Sequence, residues 1–116
     1  MNPKIPEYMQ EELKEKGGLS KILSSMPSSK LLRKQAQIYA ALSDPLRLKI
    51  LCFLGFQRSC VCLIREVVKI SYSKLSYHLS ILKKAKLIKG EKRGNYIIYS
   101  LTQEGREYYD KICGGE

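Results

Sequence analysis

Enzymatic chemistry has little to build on in this sequence. There is one histidine, His78, no Gly-rich phosphate loop, and no pair of carboxylates spaced to act as general acid and base. A Cys-x-Cys could suggest a redox enzyme, but such motifs usually come as Cys-x-x-Cys within a βαβ unit. Membrane insertion is equally unsupported, because no apolar run approaches the roughly 18–20 residues needed to span a bilayer. The opening Met1-Asn-Pro-Lys-Ile-Pro6 leads into a charged amphipathic segment instead of the apolar core of a secretory signal. The expected location is therefore the cytoplasm, where cysteines are normally reduced. Four cysteines, at positions 52, 60, 62 and 113, then suggest thiol chemistry or metal binding more than a disulfide framework. Internal repeats and low-complexity segments are absent too. A chain of 116 residues is long enough for a modest core but not for an enclosed active site with a lid.

Acidic residues are scarce where basic ones crowd. The formal net charge is +10, and it is unevenly spread. Residues 1–29 carry four Lys against four Glu, and residues 94–116 are net acidic. Residues 65–93 hold nine basic side chains against Glu66 and Glu91, a local net of +7. An excess of that size on so short a segment is the electrostatic footprint of a polyanion. A membrane surface would attract it as well. An amphipathic anchor, however, needs bulky apolar residues free of other packing, and the leucines interleaved with these lysines have a core to fill.

Within this segment Leu75, Leu79 and Leu82 recur at i, i+4 and i+7, and Ala85 extends the stripe. The spacing predicts a helix over residues 73–84. Ser71 or Ser73 serves as its N-cap, and Ser73, Lys74, Ser76, Tyr77, Ser80, Lys83 and Lys84 face outward. Tyr96-Ile-Ile-Tyr-Ser-Leu101 is β-branched and aromatic without a breaker, and Arg93-Gly94-Asn95 supplies a turn in front of it. A short basic helix followed at once by a glycine-tipped basic hairpin is the ground plan of a winged helix-turn-helix. The helix fits the major groove and the ribbon follows the neighbouring phosphates. Duplex DNA is thus the expected partner, with bases met through Ser73, Lys74, Ser76, Tyr77 and His78, flanking phosphates held by Lys89, Lys92, Arg93 and Asn95 of the wing, and Ser71, Lys83 and Lys84 also on the DNA-binding surface. His78 has a second reading, as a phosphate contact or a packing residue of the helix. Winged helices also serve as protein-interaction or RNA-binding modules; the basic bias argues for nucleic acid, and the serine-rich, groove-sized helix for duplex DNA.

The remaining segments read as helices, giving a mainly α fold with a small β-hairpin. Glu7 to Lys16 is a polar helix stopped by Gly17-Gly18, and Leu19 to Met26 holds one or two turns before Pro27. Lys30 to Leu42 follows a serine cap, with Leu31, Ile38 and Leu42 turned toward a partner. Asp44-Pro45 restarts the chain as N-cap and first helical residue, Ile50, Leu51 and Leu54 point inward, and Gly55 closes that helix. Cys60 or Val61 to Lys69 is the first helix of the helix-turn-helix, and Thr102 to Cys113 the last of the chain. Residues 1–29 are expected to be an N-terminal helical extension, and residues 30–116 the DNA-binding and dimerisation domain. Apolar-striped helices at both ends of a small DNA binder find each other across a two-fold axis, so a homodimer on a palindromic operator is expected. Tyr108 and Tyr109 are assigned to its interface, while Tyr96 and Tyr99 are strand residues of core or rim.

Taken together, Ala41-Leu-Ser-Asp-Pro-Leu-Arg-Leu-Lys-Ile-Leu51, Ser71 through Leu79 with its Ser-x-His-Leu ending, Ala85-x-Leu-Ile88 and the Arg93-x-x-x-x-x-Tyr99 wing resemble the ArsR/SmtB family of prokaryotic metal- and thiol-responsive repressors. The resemblance covers about residues 36–102 and is specific as a set. It implies a dimer that sits on its promoter and lets go when an inducer binds, with no cofactor required. Lys86 departs from the family, which usually has a small residue there.

Cys60-Val61-Cys62 is similar to the family's metalloid motif, whose thiolates bind trivalent arsenic or antimony or a soft divalent metal such as cadmium or lead. On a regular helix, residues two apart point about 200° away from each other. Chelation therefore requires a frayed or distorted first turn, and that distortion would pull on the helix-turn-helix. The family's third cysteine is Arg65 here, so a third thiolate would come from Cys52, Cys113 or the other subunit, or a small molecule would fill the place. Cys52 and Cys113 also look like the layout of the family's persulfide- and redox-sensing members, in which a bridge between two helices replaces the metal. Cys52 has a plainer reading as a small core hydrophobe. No zinc site is expected, since Glu107 and Asp110 alone do not make one.

Overall fold

The computed structural model describes residues 4–114. Its elements run α1 (Glu7–Glu15), α2 (Leu19–Ser25), α3 (Ser29–Ala41), α4 (Pro45–Phe56), β1 (Ser59–Cys60), α5 (Val61–Val68), α6 (Tyr72–Lys84), β2 (Ile88–Arg93), β3 (Tyr96–Leu101) and α7 (Gln103–Ile112). Contacts divide the chain into two compact units between residues 34 and 35. Among the described residues no helix is long and apolar enough to cross a membrane.

In the first unit α1 and α2 bury no residue. Gly17 and Gly18 end α1 at φ of 94° and 95°, and the Gly18 amide donates to the Leu13 carbonyl at 2.7 Å. The Ser28 hydroxyl caps α3 by accepting from the Leu31 amide at 3.1 Å.

The second unit is built around α4. Asp44 caps it, accepting from the Leu46 amide at 2.8 Å and the Arg47 amide at 3.3 Å, with Pro45 at the first turn where a missing N–H is harmless. Ile50, Leu51 and Leu54 face inward, and α4 packs on α5, α6, α7 and β3. The α6 stripe Leu75, Leu79 and Leu82 is fully buried beneath it, as the spacing predicts. Ser71 caps α6, its hydroxyl accepting from the Lys74 amide at 3.2 Å. The sheet runs β1-β3-β2, all antiparallel, with Gly94 at φ 60° turning β2 into β3.

Five features depart from the sequence reading. The sheet has a third strand, β1, whose Ser59 and Cys60 pair with Tyr99 and Ile98 of β3. Gly55 lies inside α4 and does not close it; its missing Cβ instead makes room for the ring of Tyr109 on α7. Ile38 and Leu42 are buried in the protomer's own core, leaving only Leu31 of that trio exposed. Tyr108 is also internal: its hydroxyl donates to Gln35 Oε1 at 2.7 Å and its ring meets Tyr39 edge-on. Tyr109 packs edge-on against Phe56 within the same chain. Lys86, the family departure, sits at φ 63° in the left-handed region between α6 and β2.

Candidate DNA-binding surface and thiol pair

The outward side of α6 is as its leucine stripe requires. Ser71, Ser73, Lys74, Ser76, Tyr77, Lys83 and Lys84 are all exposed. Lys89, Lys92 and Arg93 on β2 and Asn95 at the turn are exposed as well, and α6 packs on β2, so helix and wing form one basic surface. Arg93 keeps a loose ion pair with Glu91 at 3.6 Å, both well solvated and easily exchanged for a phosphate. His78 differs from its neighbours. It is half-buried, and its Nδ1 lies 3.0 Å from a guanidinium nitrogen of Arg47, whose Nε donates to the Ala41 carbonyl at 2.7 Å. Arg47 thus ties the start of α4 to the middle of α6, a role no sequence pattern announces. Arg65 is a second such residue. It donates to the Ile70 carbonyl at 2.9 Å and lies over the Tyr72 ring at 4.3 Å, bracing the turn between α5 and α6.

The structure brings Cys60 and Cys62 together at the head of α5, with sulfurs 2.7 Å apart. The obstacle of the regular helix is removed because Cys60 is not helical. It is the last residue of β1 and the N-cap of α5, at φ −73° and ψ 165°, and its side chain swings toward Cys62 in the first turn. The Cys62 thiol and then the Leu63 amide donate to the Cys60 sulfur, which holds the Cys60 thiol below the usual thiol range. The same partnership raises Cys62 above it. Such a pair is a two-sulfur grip for a thiophilic ion. Among the described residues no three of His, Cys, Asp and Glu converge on one point.

Cys52 of α4 and Cys113, which caps the end of α7, form a disulfide with Cα atoms 6.3 Å apart. That distance lies inside the roughly 4.4–6.8 Å span of natural bridges. Neither cysteine is therefore free to complete the Cys60/Cys62 pair while bonded to the other.

The profile of the bacterial regulatory protein, arsR family, matches residues 44–89, from the cap of α4 to the start of the wing. The arsenical resistance operon repressor of Bacillus subtilis (strain 168) is 46% identical over 79 residues, covering 66% of this chain and 73% of that protein. The transcriptional repressor SmtB homolog of Synechocystis sp. is 36% identical over 70 residues, where the match spans about half (53%) of that relative. Of solved structures, HlyU from Vibrio cholerae N16961 superposes with a TM-score of 0.68 at 26% identity, covering 73% of this chain and 94% of that one. A homodimeric winged helix-turn-helix DNA-binding domain from Mycobacterium bovis gives a TM-score of 0.68 at 22% identity over 76% and 85% of the two chains, a likeness of fold alone. Fold and surface together define a winged helix-turn-helix transcriptional regulator, not an enzyme. The chain belongs to the bacterial ArsR family and is a DNA-binding transcriptional repressor.

Proposed function

We propose that this repressor holds a palindromic operator as a cytoplasmic homodimer and releases it when trivalent arsenic, trivalent antimony or a soft divalent metal bridges Cys60 and Cys62. Residues 30–116 carry DNA binding and dimerisation, and residues 1–29 are an extension. Exposed Tyr39 on α3 and Ile112 on α7 offer apolar surface to a second copy, which supports the dimer. In each protomer α6 enters the major groove and the wing follows the flanking phosphates.

One observation carries the inducer reading, the 2.7 Å approach of two sulfurs at the junction of β1 and α5. An ion bonded to both sulfurs must sit between them and widen their separation. Cys60 pairs with Ile98 of β3, while Cys62 lies in the first turn of the helix that precedes α6. Widening the pair therefore loads the wing and the helix-turn-helix together, and a ligand with different affinity for the two arrangements shifts the DNA-bound population. The similarity to an arsenical resistance operon repressor supports arsenic as the inducer. Titration of the reduced Cys52→Ser/Cys113→Ser protein with arsenite, in which a single thiol pair remains, followed by thiolate-to-arsenic absorption, tests this reading. One equivalent per chain is expected, lost in Cys60→Ser and in Cys62→Ser; absorption that survives both changes would refute it.

The Cys52–Cys113 bridge favours a second reading. An oxidant or polysulfide that joins α4 to α7 would fix the two helices flanking the core and change the spacing of the recognition helices in the dimer.

A further inference from the structure

His78, the only histidine of the chain, lies half-buried in the middle of α6, between exposed Tyr77 and buried Leu79. Its Nδ1 is 3.0 Å from a terminal guanidinium nitrogen of Arg47. A guanidinium offers N–H donors only, has no acceptor and keeps its proton. Arg47 must therefore donate, and Nδ1 must be the bare, accepting nitrogen of the ring. The ring proton then sits on the other nitrogen, Nε2, which becomes a hydrogen-bond donor. Arg47 is itself held: its Nε donates at 2.7 Å to the carbonyl of Ala41, the last residue of α3, and its amide donates at 3.3 Å to the Asp44 cap. The side chain thus satisfies one of the orphan carbonyls at the end of α3 while its far end reaches α6. On a second side the imidazole meets the Tyr77 ring edge-on, with centroids 5.4 Å apart. A ring gripped in this way cannot flip or move its proton to Nδ1 without losing a charge-assisted hydrogen bond.

We infer that Arg47 is a positioning residue for DNA recognition: from the start of α4 it fixes His78 as an Nε2–H donor, presented by the recognition helix to a hydrogen-bond acceptor of the duplex. The inference rests on the reading that α6 enters the major groove, and it adds which chemistry His78 brings there and what sets it. The acceptors open to such a donor are a purine N7, guanine O6 or thymine O4 in the groove, or a phosphate oxygen beside it. A free imidazole would have to select one tautomer and one orientation when DNA binds. Arg47 makes that selection in the unbound protein, so the ordering cost falls outside the binding step. The guanidinium acts through the ring, and its own charge is not what the duplex reads.

Because the chain has a single histidine, heteronuclear NMR of its imidazole nitrogens reads the tautomer without ambiguity, and the wild-type measurement needs no variant. In mildly alkaline buffer the full chain should show a bare Nδ1 and a protonated Nε2, and Arg47→Met, which keeps the aliphatic stem but no donor, should show both tautomers. A wild-type proton on Nδ1, or the same mixture in both proteins, overturns the inference. Binding to the duplex upstream of the chain's own gene supplies the second readout. His78→Ala and Arg47→Met should each weaken it about three- to tenfold, the worth of one hydrogen bond. The double variant should bind no more weakly than His78→Ala alone, since Arg47 acts through the ring. Additive losses, which a direct charge effect of Arg47 would give, overturn the inference, as does wild-type affinity in His78→Ala. A loss confined to that duplex assigns the acceptor to a base, and an equal loss on random duplex assigns it to a phosphate. If Lys74→Ala and Tyr77→Ala also bind as the wild type does, the placement of α6 in the groove fails instead.

Discussion

Reduction of the Cys52–Cys113 bridge should lower the stability of the folded chain by an amount its topology sets. The two cysteines are 61 residues apart in sequence, and the bridge ties α4 to the end of α7. In the chain-entropy account, closing a loop of that length restricts the unfolded chain by about 4 kcal/mol, and measured bridges generally give about 2–4 kcal/mol. Unfolding entropy near 2.1 cal/mol/K per residue converts each kcal/mol into about 4 °C of Tm for a chain of this size. Oxidised protein should therefore melt about 8–16 °C above reduced protein. The assay is far-UV circular dichroism of oxidised and reduced samples, run in a Cys60→Ser/Cys62→Ser background so that only one thiol pair responds. Adding Cys52→Ser/Cys113→Ser should abolish the difference. An oxidised sample that melts with the reduced one, or a shift that survives loss of both cysteines, would refute the assigned pairing and the second inducer reading with it.

Other consequences are as direct. Lys74→Ala or Tyr77→Ala on the exposed face of α6 should lower discrimination between operator and random duplex, by about 1–3 kcal/mol for a lost base contact, whereas Lys92→Ala on the wing should weaken both nearly equally and flatten the salt dependence; equal losses of discrimination for all three would undo the division between helix and wing. Lys86→Gly should stabilise the chain by about 0.5–1 kcal/mol in urea titrations, because it relieves a left-handed residue at φ 63° against the extra unfolded-state freedom of glycine; a neutral or destabilising result contradicts the backbone assignment. Cys60 carries the lowered thiol pKa, so its thiolate forms as pH rises through a range below that of an ordinary thiol. Mass spectrometry after brief iodoacetamide treatment near neutral pH should find Cys60 modified ahead of Cys62, and Cys60 should react more slowly in Cys62→Ala, which removes the donor; an unchanged Cys60 rate would contradict the pairing.

Local rules made much of this legible in advance. The α6 register follows from leucines at helical spacing, and the α4 start from Asp44-Pro45, because both depend on neighbours within a turn. The features that escaped depend on partners far along the chain. A two-residue strand such as Ser59-Cys60 has no periodicity to read, and it exists only because β3 lies beside it. Gly55 has the look of a helix stop, yet its smallness serves the Tyr109 ring. Tyr108 has the look of interface until Gln35 and Tyr39 are seen to hold it. The thiol pair shows the same division. Its residues are plain in the sequence, but its geometry follows from Cys60 taking a strand-like cap conformation, which spacing alone does not reveal.

The central claim is that thiols at the head of the helix-turn-helix govern release from DNA. Fluorescence anisotropy of the reduced protein on the duplex upstream of its own gene, titrated with arsenite, tests it most directly. The account predicts release at about one arsenite per chain, the stoichiometry of a single two-sulfur grip in each protomer, lost in Cys60→Ser/Cys62→Ser and retained in Cys52→Ser/Cys113→Ser. Specific binding that ignores arsenite, or release that persists without Cys60 and Cys62, would contradict it.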